Sequence, residues 1–267
     1  MNDNLFLKRI EDKYRQFLGS SVITATDFLS IEEQSMCRGL VSDIKHELGQ
    51  DGAAFLFGGY EDSERRQLVF MPDWTCVRTE QEAFEYFKEN PDLSPMVILE
   101  VKVSKHDTGR LGHRDYLGAL MGEGIKREVI GDILVNPNGA QILCKTEISD
   151  FLINEFRQAG HVSLNCEVKN ISEISLGEIR TEIQRLNVAS PRLDNVIAST
   201  FNLSRKDAVT AISRGLVFID GAENLKPDYQ LKDGQKMVLR GKGKAFYLGQ
   251  TGTSKKGKAY IEIKKYL

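Results

Sequence analysis

The chain lacks the features that mark membrane, secreted and zinc-stabilised proteins. No run of 18 apolar residues occurs, and residues 1–4 do not resemble the start of a signal peptide. We therefore expect a cytoplasmic protein without a membrane span. The four cysteines, Cys37, Cys76, Cys144 and Cys166, are widely spaced and show neither CxxC nor His-paired spacing. This spacing argues against disulfides and against a structural metal site.

Nucleotide-binding and catalytic motifs are also missing. Residues 252–259 nearly match GxxxxGK[ST], but Ala259 replaces the hydroxyl that magnesium requires, and a strand pattern follows where a helix is needed. No GxGxxG leads from a strand into a helix, and no adenylate-binding HxGH or KMSKS-like motif is present, which excludes a tyrosyl-tRNA synthetase. We predict no catalytic residue, no cofactor and no metal.

Charge is distributed unevenly along the 267 residues. The net charge of −2 conceals a basic segment, residues 192–267, with 15 Lys and Arg against 7 Asp and Glu, and an acidic remainder with 21 against 31. A basic block of this size is typical of nucleic-acid binding that weakens steeply with salt. Charge alone does not distinguish a nucleic-acid-binding surface from a basic face that is only in contact with solvent. With 41% apolar residues, the chain can form two or three domains with buried cores.

Helix start and stop signals organise the beginning of the basic segment. Ser190 is a candidate N-cap with Pro191 at the first helical position, so a helix is predicted from Arg192. Ser204 is predicted to cap a second helix, with Asp207 in a short variant of the capping box and Gly215 at the end.

Strand patterns follow this predicted helix pair. Residues 216–219 and 235–240 are rich in β-formers and adjoin Asp-Gly turn pairs, and residues 244–264 favour a β-hairpin with a Gly- and Lys-rich tip. Two short helices should therefore pack on a small sheet. Tyr247 and Tyr260 in the hairpin suit either the core, which is the commoner role, or base stacking.

Basic residues of this segment form the predicted RNA interface. Arg205 and Lys206 fall in the first turn of a helix, where free N–H groups favour an anion. Asp194 is as well suited to stabilising the helix pair, by accepting hydrogen bonds from neighbouring donors, as to contacting RNA. The predicted RNA-binding residues are Arg192, Ser204, Arg205, Lys206, Arg214, Lys226, Arg240, Lys242, Lys244, Lys255, Lys256 and Lys258.

The first ninety residues show a mixture of helix and hairpin patterns. We predict helices over residues 4–18 and, from a Ser30 and Glu33 capping box, to about Leu48, then a hairpin of residues 53–57 and 67–71 and a helix over 81–88. Tyr60, Arg65 and Arg66 are expected to form an exposed, polar hairpin tip.

Between residues 95 and 169 the pattern is βαββαβ, with strands predicted over 96–103, 128–135, 140–145 and 161–168 and helices over 113–121 and 148–158. This order predicts a ferredoxin-like sandwich, as in RNA-recognition domains. Those domains stack bases on aromatic residues of the central strands, and residues 96–103 and 140–145 contain none.

A glycine-rich stretch, residues 108–127, surrounds the first predicted helix of this unit. Glycines there suit close approach of the backbone to another surface, or equally tight turns and helix packing. His113, Arg114, Lys126 and Arg127 are candidates for a secondary RNA contact.

Residues 192–240 resemble the RNA-binding module first defined in a ribosomal small-subunit protein, here called the S-four module. The resemblance is carried by Arg192-Leu193-Asp194, Ser204-Arg205, Ala208, Ile212, Gly215, Val217, Gly221, Lys226-Pro227, Leu231 and Gly234. It implies that two helices and the adjoining loop grip structured RNA through its shape and phosphates. Asp220 departs from the Asn that the family often has before the turn glycine.

Nearly the whole chain resembles the bacterial YlmH family. Gly58-Gly59-Tyr60 with Glu64-Arg65, residues 112–132 and the basic module carry this likeness. It implies an RNA-binding protein that associates with the ribosomal large subunit, with a link to its bound peptidyl-tRNA in rescue of stalled translation. We also expect a monomer. We thus expect an α+β protein with an N-terminal mixed helical and hairpin segment (1–90), a ferredoxin-like, RRM-like domain (91–172) and an S-four-type αα-β RNA-binding domain with a C-terminal hairpin (185–267).

Two other function classes remain open. One is an RNA-modifying enzyme of the pseudouridine synthase type, since such enzymes carry the same module. Such an enzyme needs an Arg-Leu-Asp region in a separate catalytic domain. The only Arg-Leu-Asp tripeptide here is residues 192–194, which lie within the module. A protein-interaction adaptor linked to cell division would dock a partner on the acidic residues 1–191.

Overall fold

The computed structural model describes residues 3–61, 63–176, 181–254 and 257–266. The chain divides into two compact units, Met1–Gly177 and Glu178–Leu267. The first and second predicted segments both lie in the first unit, and the predicted basic segment lies in the second.

The described helices and strands follow the α+β class expected from the sequence. The helices are α1 (Asp3–Ser20), α2 (Ile31–Met36), α3 (Arg38–Leu48), α4 (Glu80–Glu89), α5 (His113–Gly122), α6 (Ser149–Glu155), α7 (Leu193–Thr200) and α8 (Arg205–Ser213). The strands of the first unit are β1 (Thr24–Ala25), β2 (Gly52–Phe57), β3 (Gln67–Pro72), β4 (Met96–Lys102), β5 (Ile130–Asn136), β6 (Gly139–Lys145), β7 (Gln158–Ala159), β8 (Val162–Ser163) and β9 (Asn165–Lys169). The strands of the second unit are β10 (Thr181–Val188), β11 (Val217–Ile219), β12 (Ala222–Glu223), β13 (Lys236–Leu239), β14 (Gly243–Thr253) and β15 (Ala259–Tyr266).

Two sheets lie at the centre of the first unit. A three-stranded sheet has the order β1-β3-β2, and a four-stranded antiparallel sheet has the order β5-β6-β4-β9. The larger sheet, with α5 and α6, follows the βαββαβ order along the chain, and a short β7-β8 hairpin is inserted before its last strand. The second helix of this order ends at Glu155, three residues before the predicted end, because the chain turns into β7.

The larger sheet is covered on both faces. Leu99 and Ile142 lie on the face that packs against α5 and α6, in a core with Tyr116, Leu120 and Leu152. The opposite face contributes residues to a second core formed with β2, β3 and α4; these are Met96, Ile98 and Leu143. Burial on both faces removes the open sheet surface on which RNA-recognition domains bind bases.

The helices α1 and α3 cover the remaining face of the small sheet. Phe6, Ile10 and Phe17 of α1 recur at helical spacing and pack with Ile44 of α3 and Phe70 of β3. The Ser30 and Glu33 capping box is confirmed, since Glu33 N donates to Ser30 Oγ and Ser30 N to Glu33 Oε2. The predicted single helix to Leu48 is broken at Cys37, where α2 ends and α3 begins.

The second unit is a six-stranded sheet of order β10-β15-β14-β13-β11-β12, with α7 and α8 on one face. Alternate residues of β15, Ala259, Ile261 and Ile263, point into the core with Val196 and Ile212 of the helices. The predicted strands and the long hairpin are confirmed by the β11, β13, β14 and β15 pairings. β10 was not predicted, and it pairs with β15 over its full length.

The start of α7 differs from the prediction. Its N-cap is Arg192 and its first residue is Leu193, so the prediction that Ser190 caps the helix is wrong. Pro191 instead lies beside a loop, where its carbonyl accepts a hydrogen bond from Leu231 N. The helix ends at Thr200, and Asn202 with a φ of +53° reverses the chain towards α8.

Candidate nucleic-acid interface

A buried carboxylate links the two helices of the second unit. The Asp194 side chain is only 1% exposed, and it accepts hydrogen bonds from Arg192 Nε (3.2 Å) and from Arg205 Nη2 (2.9 Å) and Nε (3.1 Å). Burial alone would raise the pKa of Asp194, but the hydrogen bonds from Arg205 and Arg192 outweigh it and hold that pKa below its ordinary value. The bracing role considered for Asp194 is therefore confirmed.

The N-terminus of α7 is capped by backbone rather than by a side chain. Leu193 N donates to the Tyr229 carbonyl (2.8 Å) and Asp194 N to the Pro227 carbonyl (2.9 Å). These contacts satisfy two of the N–H groups that a helix leaves unpaired at its start. They also fix the loop that carries Lys226 beside Arg192 and Asp194.

The N-terminus of α8 is capped by its own first turn. Ser204 Oγ accepts a hydrogen bond from Asp207 N (3.1 Å) and donates one to Asp207 Oδ2 (2.7 Å), which confirms the predicted cap. Both functions of the Ser204 hydroxyl are thus used within the helix. The Asp207 carboxylate adds negative charge at the helix start, so an anion would gain less there than at an uncapped terminus.

Five cations of the predicted interface lie at the ends of these helices or in the loop beside α7, with Arg214 about 13 Å along α8 from Arg205, and we call them the helix-pair surface. They are Arg192, Arg205, Lys206, Arg214 and Lys226. Arg205 is 62% exposed although it binds Asp194, and Lys206, Arg214 and Lys226 are exposed as well. Asp194 therefore fixes the direction of two guanidinium groups while leaving the surface accessible to a ligand.

The cations predicted in the hairpin do not form one cluster. Lys242 and Lys244 lie at the start of β14, whereas Lys258 lies at the other end of the hairpin, next to β15. The length of β14 separates these ends by about 30 Å. Arg240 and Lys244 lie over the rings of Phe218 and Tyr266, each 4.7 Å from the ring centroid. Lys255 and Lys256 are outside the described residues.

The hairpin tyrosines have different environments. Tyr247 is 2% exposed and belongs to the core, whereas Tyr260 lies on the face of the sheet opposite the helices, with the Arg185 guanidinium 4.7 Å from its ring centroid. Sequence reasoning missed Arg185, because β10 had not been recognised as a strand. The signal available was the alternation of residues 183–188, in which Leu186 and Val188 are inward and Arg185 is outward.

The four candidates of the first unit are also separated. His113 and Arg114 are exposed in the first turn of α5, and Lys126 is exposed beyond its other end, about 15 Å away along the helix. Arg127 has an internal role, since its Nη1 donates to the carbonyls of Ile130 (2.6 Å) and Gly131 (3.0 Å). Burial lowers the pKa of Arg127 to about 10.

Close to Arg127, a partly buried carboxylate connects the two sheets. Asp132 accepts hydrogen bonds from Tyr60 Oη (2.7 Å), Glu64 N (2.7 Å) and Arg65 N (3.0 Å). The Arg65 guanidinium in turn donates to the carbonyls of Ile130 and Phe28, and burial lowers its pKa. The expectation that Tyr60, Arg65 and Arg66 form an exposed hairpin tip is therefore wrong.

Arg66, the third member of that expected tip, is also partly buried. Its Nη1 forms an ion pair with Glu80 Oε2 at 3.0 Å, and its other nitrogens donate to the carbonyls of Ser63 and Glu61. The residues near the hairpin thus hold the first unit together instead of presenting a polar surface.

The glycines of α5 have no internal packing partner. A Cβ atom built on Gly118 or Gly122 meets nothing within 4 Å, and both residues are exposed. Helix packing therefore does not explain them, although glycine lowers helix stability. Gly109 and Gly124 do serve turns, with φ values of +71° and +78°.

Two further properties bear on function. Within the described ranges, no helix is long and apolar enough to cross a membrane. In that same part of the chain, no three His, Cys, Asp or Glu side chains are grouped so that they could hold a metal ion.

Comparison with known proteins finds one matching family model and two similar proteins. Residues 94–173 match the family model described as "Putative RNA-binding domain in YlmH". The "Ribosome-associated protein quality control protein P2" of Bacillus subtilis (strain 168) is 28% identical over 257 residues, which cover 96% of this chain and 90% of that protein. A solved structure, "Cell division protein ylmH from Streptococcus pneumoniae", is similar with a TM-score of 0.46 and 20% identity, covering 65% of this chain and 94% of that one. Residues 94–173 are therefore similar to the RNA-binding domain of YlmH, and the similarity to the Bacillus subtilis protein extends over nearly the whole chain.

Proposed function

We propose that this protein binds structured RNA of the ribosome, without catalysis, and that the helix-pair surface is the principal contact. The observation that carries the proposal is the buried Asp194, which fixes Arg192 and Arg205 at the surface of a helix pair. Guanidinium groups held in one direction lose less freedom when they bind phosphate. Lys206 in the first turn of α8, Arg214 at its C-terminal end and Lys226 in the loop beside α7 add exposed positive charge.

The fold of the second unit supports its assignment to the S-four type. Two helices pack on a sheet, and the loop around Pro227 is hydrogen-bonded to the start of α7. Asp220 replaces an expected Asn, yet its carboxylate accepts hydrogen bonds from Lys236 N and Gln235 Nε2, both at 2.9 Å. Asp220 therefore orders the turn before β13 and is not assigned to RNA.

The cellular role proposed here rests on kinship. The Bacillus subtilis relative is named for ribosome-associated protein quality control, and the match spans nearly the whole of both chains. We therefore propose the large ribosomal subunit, with peptidyl-tRNA in stalled translation, as the place where the chain works. Binding should be weak in high salt, because counterions are released from RNA when Lys and Arg bind its phosphates.

The first unit would contribute a second contact at the start of α5. Its larger sheet is covered on both faces, so RNA can reach only the edges and loops of the domain that the family model matches. His113 and Arg114 are exposed at one such edge, and Lys105 and Arg110 are exposed in the preceding loop, where Arg110 forms an ion pair with Asp107. Arg127 is left out of this contact, because its guanidinium binds the protein's own carbonyl groups.

A pseudouridine synthase-like activity is disfavoured by the environment of Asp194. Such an enzyme needs an accessible carboxylate as nucleophile. The carboxylate of Arg192-Leu193-Asp194 is buried and accepts hydrogen bonds from two arginines and from Asn195 N. It is therefore placed to hold the helices and not to attack a base.

Sedimentation of the protein with ribosomal particles at low salt tests the proposal. The Lys206→Glu plus Arg214→Glu variant changes the charge by four units at exposed sites, while Arg205 remains paired with Asp194. Lys8→Glu plus Arg15→Glu is the matched control, because it makes the same change on exposed residues of α1. We expect wild type and control to sediment with the large subunit and the first variant to remain at the top of the gradient. Equal sedimentation of all three proteins, or no sedimentation of wild type, would contradict the proposal.

A further inference from the structure

The face of the second unit's sheet that points away from α7 and α8 combines cations with aromatic rings. Strand alternation places Phe246 of β14 and Tyr260 and Tyr266 of β15 on this face, and all three are partly exposed. Ile183 of β10 lies on the same face, opposite Lys264, and is 65% exposed. The opposite side of each strand forms the core with the helices. We call this outward side the basic-aromatic face.

The cations of this face are placed among its rings. Lys236 Nζ lies 5.9 Å from the Phe246 centroid, Lys244 Nζ 4.7 Å from that of Tyr266, and the Arg185 guanidinium 4.7 Å from that of Tyr260. Five cations lie within about 6 Å of a ring centroid in the described part of the second unit, the range over which a cation and a ring attract each other. The pairing of rings with cations therefore recurs in this unit.

Charge on the face favours an anionic ligand. Its cations are Arg185, Lys236, Arg240, Lys244 and Lys264, and the carboxylates on the same side are Glu223 and Glu262. An aromatic ring beside a cation can stack on a base while the cation binds the adjacent phosphate. This combination is what proteins use for single-stranded nucleic acid, and stacking is sequence-tolerant because every base has a π-face.

We propose that the basic-aromatic face binds unpaired RNA nucleotides by stacking. The sites are the Phe246 and Tyr266 rings, whose centroids are 6.0 Å apart, and the Tyr260 ring, about 20 Å further along β15. This inference deepens the proposed function, since it adds unpaired nucleotides to the structured RNA bound by the helix-pair surface. A ribosomal or transfer RNA loop next to a bound helix has both kinds of nucleotide.

Within a duplex the faces of the bases are covered by the neighbouring stacked base pairs, so the two surfaces should differ in the RNA they require. Stacking of one base changes affinity by roughly 5- to 150-fold. Replacing rings on the basic-aromatic face should therefore weaken binding of an unpaired strand at least tenfold and leave duplex binding unchanged. Replacing cations of the helix-pair surface should weaken binding of both RNAs.

Fluorescence anisotropy with the full chain distinguishes these surfaces. The probes are an unstructured 12-nucleotide RNA and a 12-base-pair RNA duplex, both at low salt. Phe246→Ile plus Tyr260→Ile removes two rings with side chains that suit strands, and Phe246→Tyr plus Tyr260→Phe retains them. Trp74→Leu is the control, since it removes a ring that is 55% exposed in the first unit. We expect only the isoleucine variant to lose affinity for the unpaired strand.

The outcomes separate this inference from the proposed function. If wild type binds the duplex but not the unpaired strand, or if the isoleucine variant binds the unpaired strand like wild type, the basic-aromatic face has no such role and the helix-pair surface is unaffected. If wild type binds neither RNA, both proposals fail. A 4-thiouridine strand irradiated with wild type gives a test that does not depend on variant folding. Crosslinks on peptides containing Phe246, Tyr260 or Tyr266 support the inference, and crosslinks confined to other peptides overturn it.

Discussion

The carboxylate of Asp194 and the guanidinium of Arg205 form two hydrogen bonds, of 2.9 and 3.1 Å, between α7 and α8. One partner is buried and the other is 62% exposed. The pair thus connects the core of the second unit with the surface proposed to bind RNA. It also means that Arg205 is a poor choice for charge reversal, because Arg205→Glu would place a second carboxylate beside Asp194.

Asp194→Asn should destabilise the protein by about 1–3 kcal/mol at pH 7, because charge-assisted hydrogen bonds to two arginines are weakened. The folded pKa of Asp194 is lowered, so its stabilising contribution is present above the unfolded pKa, near 4, and is lost as the pH falls through the folded pKa. The difference between wild type and variant should therefore shrink on acidification. Urea unfolding at pH 7 and pH 3 measures this difference in unfolding free energy, with the substitution Asp228→Asn at an exposed position as control. An equal difference at both pH values would refute the assignment.

Tyr60→Phe should destabilise the first unit by about 1.5 kcal/mol, since it removes a hydrogen bond to the charged Asp132. Thermal or urea unfolding measures the loss. Tyr86→Phe is the control, because no hydrogen bond of the Tyr86 hydroxyl occurs in the described part of the chain, and it should change stability by less than about 0.5 kcal/mol. Equal effects of the two substitutions would show that Tyr60 does not hold the hairpin to Asp132.

Local signals predicted the short-range features of the fold, and long-range contacts account for most of the errors. The caps at Ser30 and Ser204 and the left-handed Gly215 after α8 depend on residues within four positions, so the sequence pattern suffices. Tyr60 and Asp132 are 72 residues apart, and no local pattern indicates that they meet. The unpredicted β10 is likewise defined by pairing with β15, about 78 residues later.

The candidate site shows the same difference between features that local sequence predicts and features that depend on long-range contacts. Exposed cations such as Lys206 and Arg214 could be identified from their positions outside the apolar stripes. The internal role of Arg127 could not, because it depends on two carbonyl groups that a 310 turn brings close. The basic-aromatic face was also hidden, since Phe246, Tyr260 and Arg185 share a surface only after three strands have paired.

Gly118→Ala and Gly122→Ala should each stabilise the protein by about 0.5–1 kcal/mol, because both glycines lie in α5 with open space around the missing Cβ. The unfolding free energy of each variant measures the gain. Gly139→Ala is the contrasting substitution, since its Cβ would lie 1.8 Å from the Val101 carbonyl oxygen and should destabilise strongly. Destabilisation by Gly118→Ala would indicate packing that the structure does not contain.

Cysteine reactivity should follow burial. Burial raises the pKa of Cys37 and of Cys166 to about 11 and that of Cys144 to about 12, whereas Cys76 is exposed. Because the thiolate is the reacting form, a maleimide at pH 7.5 should modify Cys76 first, the partly buried Cys166 more slowly, and Cys37 and Cys144 only after unfolding. Mass spectrometry of the digested protein gives the order in which the cysteines are modified. Rapid modification of a second cysteine in the folded protein would contradict the burial of that site.

The salt dependence of binding to large ribosomal subunits tests the helix-pair surface most directly. The slope of log affinity against log salt reflects the number of phosphates neutralised, at about 0.7–0.9 for each. Lys206→Ala plus Arg214→Ala should therefore weaken binding and make the slope shallower by about 1.4–1.8, while Lys8→Ala plus Arg15→Ala should leave the slope unchanged. If both double variants keep the wild-type slope and affinity, the helix-pair surface does not bind RNA.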